Sequence, residues 1–536
     1  MESLPTFLDS LAAVGDDAEA ITWVPEEKVR SRLTWAQLVS QSRTAARRLL
    51  ALGAGKGTRV GLLCSNRIEW LPLAFGAFRI GAILVPFSTL WKRDEIAYGL
   101  HHGDVEVLLT LSAFRKHDYL AALDEIVPAA RRAGGAPVFT SDAPALRHVV
   151  TIDGSGDGFT AWENVPAAGD DAHLDAQQQS VAAADTGTNF FTSGTTAQAK
   201  AVVHCQGALA LSARRLAACF GIGSDDCWWG HMPLFWSGGF VLGALATLAG
   251  RGRILLHEQV EADAALRVLE RERCTLMAGW HQAGPLLEHP RFDREKIHLR
   301  KGTYHALAQR LMGPDHRAIG VYGMSETATC VTAARWDDPE EVRIGSFGVP
   351  LDGMELRIVD PDTGAEAEIG ASGEILVKGP TLMEGYYKVP RDEVLDANGY
   401  FRTGDLGYLD ERGALHFANR LKDVIKTAGV NVAAVEVEEA LTRHASVAAA
   451  YVVGVPDPVR GENIAAWVVP ATSPCPDAAT LRAFCRESLA AYKVPRHVLF
   501  LADGDIPRTG TGKIAKGELR QLAAARVAAT NDPEDT

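Results

Sequence analysis

Apolar residues recur along this chain in two alternating rhythms. RVGLLCSN (59–66) and EVLLTL (106–111) are near-continuous apolar runs that predict buried strands. SRTAARRLLALG (42–53) and EWLPLAFGAFRIGA (69–82) carry apolar residues at three- and four-residue spacing, which predicts helices packed on those strands. The alternation continues to about residue 330 and predicts α/β layers around largely parallel sheets. From 345 to 420 the texture changes to short strands broken by Gly, Asp and Pro (ELRIVDPDTG, GEILVKGPTL, GALHFANR), the pattern of antiparallel β. Beyond RLKDVIK an α+β pattern resumes, with a helix at 435–443, strands at 447–455 and 463–469, and a helix at 478–490. The expected fold is α/β. A large multi-lobed N-terminal body (two α/β subdomains plus a β-rich lobe) spans 1–420, and a small α+β C-terminal domain spans 421–536.

Length and composition support that division. A chain of 536 residues exceeds what one ordinary core sustains, and 47% hydrophobic with 23% charged residues is the balance of a soluble globular protein. The net charge of −13 is spread along the chain, so no basic face for nucleic acid is expected. The longest near-apolar stretch, GGFVLGALATLAG (238–250), is too short to span a bilayer and reads as a buried helix. The start, MESLPTFLDSLAAVGDD, has no signal-peptide pattern, and the polar end after Arg526 reads as frayed. The eight cysteines form no C-x-x-C pair and sit mostly in apolar runs, which predicts reduced, buried thiols in a cytoplasmic protein.

Four stretches carry candidate chemistry, and each alone admits a plain structural reading. FTSGTTAQAKAVVH (191–204) crowds the hydroxyls of Thr192, Ser193, Thr195 and Thr196 around a glycine, with Lys200 a short reach away. It is either a surface loop or a loop whose N–H groups and hydroxyls wrap a phosphate, and it lacks the Walker A pattern. In VYGMSETA (321–328), Glu326 is either a first-turn helix carboxylate or a magnesium ligand beside phosphates. In GYFRTGDLGYLDERG, Asp405 either closes an Asx turn or accepts from two ribose hydroxyls. In IPRTGTGKIAKGELR, Lys513 is either a solvated charge or a loop lysine that swings toward an anion.

Together and in this order, with YGMSE, YFRTGD, NRLKDVIKTAGVNV, YKVPR and PRTGTGKI, these stretches resemble the adenylate-forming superfamily of acyl-CoA synthetases, peptide-synthetase adenylation domains and beetle luciferases, from about residue 31 to 520. The resemblance implies a two-step ligase. A carboxylate and Mg2+-ATP give an acyl-adenylate and pyrophosphate; a thiol, usually that of coenzyme A, then displaces AMP. By position, Thr192, Ser193, Thr195, Thr196 and Lys200 match the pyrophosphate loop and Tyr322 the residue against adenine, with Ser325 beside it in the nucleotide site. Glu326 matches the magnesium ligand, Asp405 and Arg420 the ribose contacts, and Lys513 the lysine that bridges carboxylate and α-phosphate. Lys422 matches the hinge about which a mobile C-terminal domain turns. After that turn Lys426 lies near the thioester, and Gly429, Val430 and Asn431 line the coenzyme A passage, although Gly429 reads equally as a plain turn glycine. The acyl pocket is expected from Phe235, Trp236, Gly238, Trp280, His281, Gly323 and Met324, His281 being either a polar contact to the acyl group or a satisfied core histidine. These aromatics and glycines suit a bulky, cyclic or polycyclic carboxylic acid.

The chain also departs from the family pattern. Ala197, Ala199 and Ala201 replace glycine or proline in the phosphate loop. Each costs about 1 kcal/mol or more if the backbone there must be left-handed. The usual run before YGMSE is missing, with Gly302, Thr303 and Tyr304 the candidate adenine wall; Trp236 stands at a usual gate position, and Ala434 replaces a proline. The first two bear on ATP, and Trp236 either crowds the ATP approach or walls the acyl pocket. They raise the expectation that adenylation is weakened and that the true substrate is an acyl-adenylate preformed by a partner enzyme. The competing readings are a stand-alone adenylation enzyme that loads a carrier protein and an adenylate-binding pseudoenzyme acting as a regulator. A luciferase-type oxygenase has no separable signature here.

Overall fold

The protein is seen in a computed structural model that describes every residue except 15–16, 134, 155–157, 193–198, 280–281, 428–429, 472–476, 510–512 and 530–536, and, of Lys422, Val430, Asn431 and Ala529, the backbone alone. The chain divides into two compact units. The first comprises Met1–Glu355, Val377–Phe401 and Gly413–Leu415, and the second Leu356–Leu376, Arg402–Arg412 and His416–Thr536.

Two large sheets form the first unit. The runs at 59–66 and 106–111 become neighbouring strands Arg59–Leu63 and Val107–Thr110, parallel with Val60 opposite Val107, in an eight-stranded sheet. Val107–Thr110 and Ile83–Pro86 are buried at every residue, which is why their sequences show no polar alternation. The helix expected at 42–53 begins earlier, as Trp35–Ala51, because Thr34 and Gln37 close a capping box, each side chain accepting from the other's backbone N–H. The helix expected at 69–82 spans Trp70–Arg79. The second sheet has seven strands, Cys227–Gly230 and Arg253–His257 at its centre, all pairs parallel except the edge strand Ser31–Thr34. Trp229, Leu255, Leu269, Met277 and Leu311 pack in its core.

The parallel pattern ends with strand Arg317–Ile319, short of residue 330. Val321–Met324 and Thr329–Ala333 already form an antiparallel pair, with Val349–Pro350 alongside. A second antiparallel pair, Thr186–Thr192 with Lys200–Cys205, carries Gly385–Tyr386 at the edge of the eight-stranded sheet. The apolar stretch 238–250 is a buried helix in two parts: Gly238–Leu245 has widened turns, the N–H of Ala246 reaching the carbonyl of Val241, and Ala246–Ala249 is regular. Among the described residues no helix is long and apolar enough to cross a membrane, and every described cysteine is a free thiol.

The second unit holds a four-stranded sheet (Glu355–Val359, Gly373–Lys378, Phe401–Leu409, Leu415–Arg420) and a five-stranded one. In the latter, Gly461–Pro470 alternates between two small cores. Ile464, Ala466 and Val468 pack with Val437, Leu441 and Leu481, whereas Ala465 and Trp467 pack with Leu519 and Ala523 of helix Lys516–Ala529. The helices expected at 435–443 and 478–490 are Ala434–Thr442 and Ala478–Ser488. Ala434 is the first helical residue, where a proline is common and an alanine equally fits. The VIKTAGVNV segment is a hairpin, Val424–Thr427 against Val430–Ala433.

Candidate active site

Within the first unit, Thr192 ends one strand of the 186–205 hairpin and Lys200 begins the other, facing each other across the pair. They close the loop whose Ser193, Thr195, Thr196 and Ala197 lie outside the described residues. The Tyr98 hydroxyl donates to the Ala199 carbonyl at 2.9 Å and fixes the loop's exit. Ala201 is a buried strand residue opposite Phe191. Neither Ala199 nor Ala201 has a positive φ; among the described residues the alanine that does is Ala328. The left-handed penalty expected from the sequence therefore does not arise at these two positions, since both continue or abut a regular strand.

The second part of the site is the reversal after strand Val321–Met324. Ser325–Thr327 make a single turn, and positive φ at Ala328 and Thr329 sends the chain back along Thr329–Ala333. Thr327 stabilises the turn: its hydroxyl accepts from the Met324 N–H at 3.1 Å and donates to the Thr329 carbonyl at 2.8 Å. Tyr322 is buried and Gly323 exposed. A Cβ on Gly323 would stand 1.7 Å from the Thr329 carbonyl oxygen, so this position has a steric reason to be glycine, independent of any acyl group.

Two contacts hold Ser325. Its carbonyl accepts from His204 Nε2 at 2.6 Å, and its hydroxyl meets that of Ser237 at 3.0 Å. His204 is fully buried, and that burial, outweighing its bond to Ser325, lowers its pKa from 6.5 to about 4. The imidazole is neutral at physiological pH and donates through Nε2. Glu326 is half-buried; its carbonyl accepts from the Met383 N–H at 2.7 Å, and Oε1 accepts from the Tyr386 hydroxyl at 2.9 Å. The Tyr386 ring lies under Lys200, whose Nζ is 4.6 Å from the ring centroid. The structure thus brings Thr192, Lys200, Ser325 and Glu326 into one neighbourhood, and adds Tyr386, His204 and Ser237, which the sequence reading passed over. EGYYKVP, an aromatic pair directly after a glycine, is the sequence signal for Tyr386, and His204 ends the phosphate-loop stretch.

Glu326 fits a magnesium ion in this setting. It is a hard oxygen donor whose Oε1 alone is engaged by Tyr386. No group of three metal-ligating acidic, histidine or cysteine residues occurs among the described residues, so a cation there would complete its shell with phosphate and water oxygens, as magnesium commonly does.

Of the expected acyl-pocket residues, Phe235 is buried and Trp236 half-buried, their rings edge-on at 5.6 Å between centroids. Asn66 fixes the preceding turn, donating to the carbonyls of Gly230 and Met232 at 2.9 Å each and accepting from Leu234 N–H at 2.9 Å. Gly238 leaves room for the Met232 sulfur, which would be 2.9 Å from a Cβ there. Met324 is half-buried, and Trp280 and His281 lie outside the described residues. The Thr303 hydroxyl accepts from the Gly279 N–H at 3.0 Å, tying strand Lys301–Thr303 to the end of the 276–279 segment.

In the second unit, Asp405 is buried and its Oδ1 lies 3.3 Å from Arg420 Nε, so the two expected ribose contacts form an ion pair on adjacent strands. The Thr403 hydroxyl accepts from the Asp405 N–H at 3.1 Å. Lys422 sits in the one-turn helix Leu421–Asp423. Lys426 is exposed on the hairpin, its N–H donating to Glu462 Oε2 at 2.8 Å, with Asn431 opposite it in the backbone register and Val430 beginning the partner strand. Gly429 lies outside the described residues. Lys513 is exposed: its N–H donates to the Thr509 hydroxyl at 3.2 Å and its carbonyl accepts from the Thr509 N–H at 2.7 Å.

Comparison with known proteins gives the class. The AMP-binding enzyme family model matches residues 8–387, and that of the AMP-binding enzyme C-terminal domain matches 436–513. The chain belongs to the AMP-binding enzyme family, and with it to the adenylate-forming superfamily. Among curated relatives, YngI of Bacillus subtilis (strain 168), named as an acyl-CoA synthetase by assignment, is 31% identical over 96% of each chain. A CoA ligase of Mycobacterium tuberculosis, named for a propanoyl group carrying a methyl-dioxo-octahydroindenyl substituent, is 32% identical over 97% of this chain and 99% of its own. Among solved structures, ATP-bound MatB from Rhodopseudomonas palustris superposes with a TM-score of 0.79 at 25% identity, covering 98% of this chain and 99% of that one.

Proposed function

We propose that the protein joins a bulky carboxylic acid to coenzyme A in two steps, through an acyl-adenylate made from ATP. It is an acid–thiol ligase of the acyl-CoA synthetase type. The observation that carries the full two-step reading is the cluster of Lys200, Tyr386 and Glu326 at the base of the phosphate loop. A cation for phosphate oxygens and a carboxylate for Mg2+ stand beside one ring, and Ala199 and Ala201 impose no left-handed strain there. In this reading the acid's oxygen attacks the α-phosphorus of ATP and pyrophosphate leaves. Lys513 offsets the negative charge that builds in that step, and Asp405 with Arg420 holds the ribose. The sulfur of coenzyme A then attacks the acyl carbonyl and AMP leaves, with Lys426, Gly429, Val430 and Asn431 on the coenzyme A side. Lys422 is the proposed hinge between the two presentations. Bound magnesium supplies neutralisation of phosphate charge, and Glu326 is the residue that would hold it. The pocket aromatics Phe235 and Trp236, together with the bicyclic acid in the name of the M. tuberculosis relative, support a bulky or polycyclic acid. Reduced thiols support a cytoplasmic site of action.

A second reading retains weight through Ala197 and Trp236: adenylation is weakened, and a partner enzyme supplies the acyl-adenylate. Lys513→Ala and Lys426→Ala separate the two. In a complete ligase, Lys513→Ala lowers acyl-CoA formation from acid and Mg2+-ATP by on the order of 10²-fold or more, and leaves formation from synthetic acyl-adenylate near that of the unaltered enzyme. Lys426→Ala slows both. If Lys513→Ala changes neither rate, Lys513 is not the adenylation lysine; if the unaltered protein forms acyl-CoA from the acyl-adenylate and none from acid with Mg2+-ATP, adenylation is not this protein's reaction.

A further inference from the structure

The segment after Leu382 is stitched to both halves of the phosphate site by its backbone. The Met383 N–H donates to the Glu326 carbonyl at 2.7 Å, that of Glu384 to the Val203 carbonyl at 2.8 Å, and that of Tyr387 to the Ala201 carbonyl at 2.8 Å. Tyr386 itself stands opposite Val202 in the strand register. Its side chain is therefore placed by the main chain, and it meets the two groups of opposite charge on different parts of one phenol: Glu326 at the hydroxyl, Lys200 on the ring face. We propose that Tyr386 is a positioning residue for the metal–triphosphate group, its hydroxyl fixing Oε1 of Glu326 so that Oε2 faces the cation, and its ring holding the Lys200 ammonium away from that carboxylate.

The chemistry favours this division. A carboxylate and an ammonium brought this near to one another are drawn into a direct pair, which would occupy the metal ligand and neutralise the phosphate-binding cation together. A ring face attracts the ammonium without consuming a carboxylate oxygen, and a neutral hydroxyl orients the carboxylate without cancelling its charge. Among the described residues no ion pair joins Lys200 to Glu326. Tyr387 supplies an internal comparison. Its hydroxyl donates to Asp104 at 2.7 Å and Arg59 lies 4.7 Å over its ring, but there Asp104 also pairs directly with Lys388 at 3.0 Å, and none of these residues has an assigned part in the reaction.

This inference rests on Glu326 being the metal ligand, and the test tells the two apart. Mn2+, in place of Mg2+, is titrated by electron paramagnetic resonance against the full-length protein with α,β-methylene-ATP, which cannot be cleaved to an adenylate. The proteins are the unaltered chain, Tyr386→Phe, Glu326→Gln, the double variant and Tyr387→Phe. Loss of a hydrogen bond to a charged group predicts about tenfold weaker Mn2+ binding for Tyr386→Phe. The double variant binds no more weakly than Glu326→Gln alone, because the hydroxyl acts through that carboxylate, and Tyr387→Phe binds as the unaltered protein does. Weakening by Glu326→Gln with none by Tyr386→Phe overturns the inference and leaves the metal reading standing. Unchanged binding by Glu326→Gln, or no Mn2+ binding by the unaltered chain, overturns both. Additive losses in the double variant overturn the claim that Tyr386 works through Glu326.

Discussion

His204 shows how burial sets the behaviour of a single residue. Its folded pKa of about 4 lies below the ordinary 6.5, so between those values the unfolded chain binds a proton that the folded chain refuses. Stability therefore rises with pH across that window and is lost as pH falls from 6.5 toward 4, by about 3 kcal/mol for a group shifted this far. His257, buried and lowered to about 4 as well, acts in the same direction. Melting curves at a series of pH values should show a falling melting temperature below pH 6.5, with a shallower fall in His204→Gln. An equal fall in both proteins contradicts the assignment. The residue scale also settles a condition that the sequence left open in the phosphate loop. Alanine in place of glycine is strained only where φ is positive, which holds at neither Ala199 nor Ala201, the latter paired with Phe191 in a regular strand; Ala197 lies outside the described residues.

At the scale of elements, the Ser-Glu turn is held by three separate segments: His204 from the hairpin, Ser237 from the head of the widened helix, and Met383 with Tyr386 from the edge strand. The chain reversal that supports it needs a close approach at Gly323, where a Cβ would meet a carbonyl oxygen at 1.7 Å. Gly323→Ala should therefore lower stability by about 2 kcal/mol or more. Gly284→Ala, in helix Ala283–Glu288 with nothing within 4 Å of an added Cβ, should raise it slightly. Thermal melting of the two variants checks the contrast, and a Gly323→Ala protein as stable as the parent contradicts the geometry. Elements built from strong periodicity were legible in the sequence: the helices Trp35–Ala51 and Ala478–Ser488 and the strands Arg59–Leu63 and Val107–Thr110 appear within a few residues of their expected bounds except at capped ends. The antiparallel pair 321–333 and the hairpin 424–433 were not, because short strands beside Gly, Ser and Thr carry no period of their own and are fixed by partners.

At the scale of the whole molecule, the family was legible because its chemistry is concentrated in short stretches whose order survives low overall identity: YGMSE, YFRTGD and PRTGTGKI each set a charged residue among glycines and hydroxyl-bearing residues. What joins those stretches was not legible. Tyr386 links Lys200 to Glu326 across 186 and 60 residues of sequence respectively, and no local signal encodes such a contact. The molecule's function turns on whether both half-reactions belong to it. The measurement that decides this gives the purified protein coenzyme A and a panel of bulky acids in two arms, free acid with Mg2+-ATP and synthetic acyl-adenylate without ATP, and follows acyl-CoA by mass. A complete ligase forms the thioester in both arms. Thioester from the acyl-adenylate alone would contradict the account and make the alanine-bearing loop a phosphate site that no longer carries out adenylation.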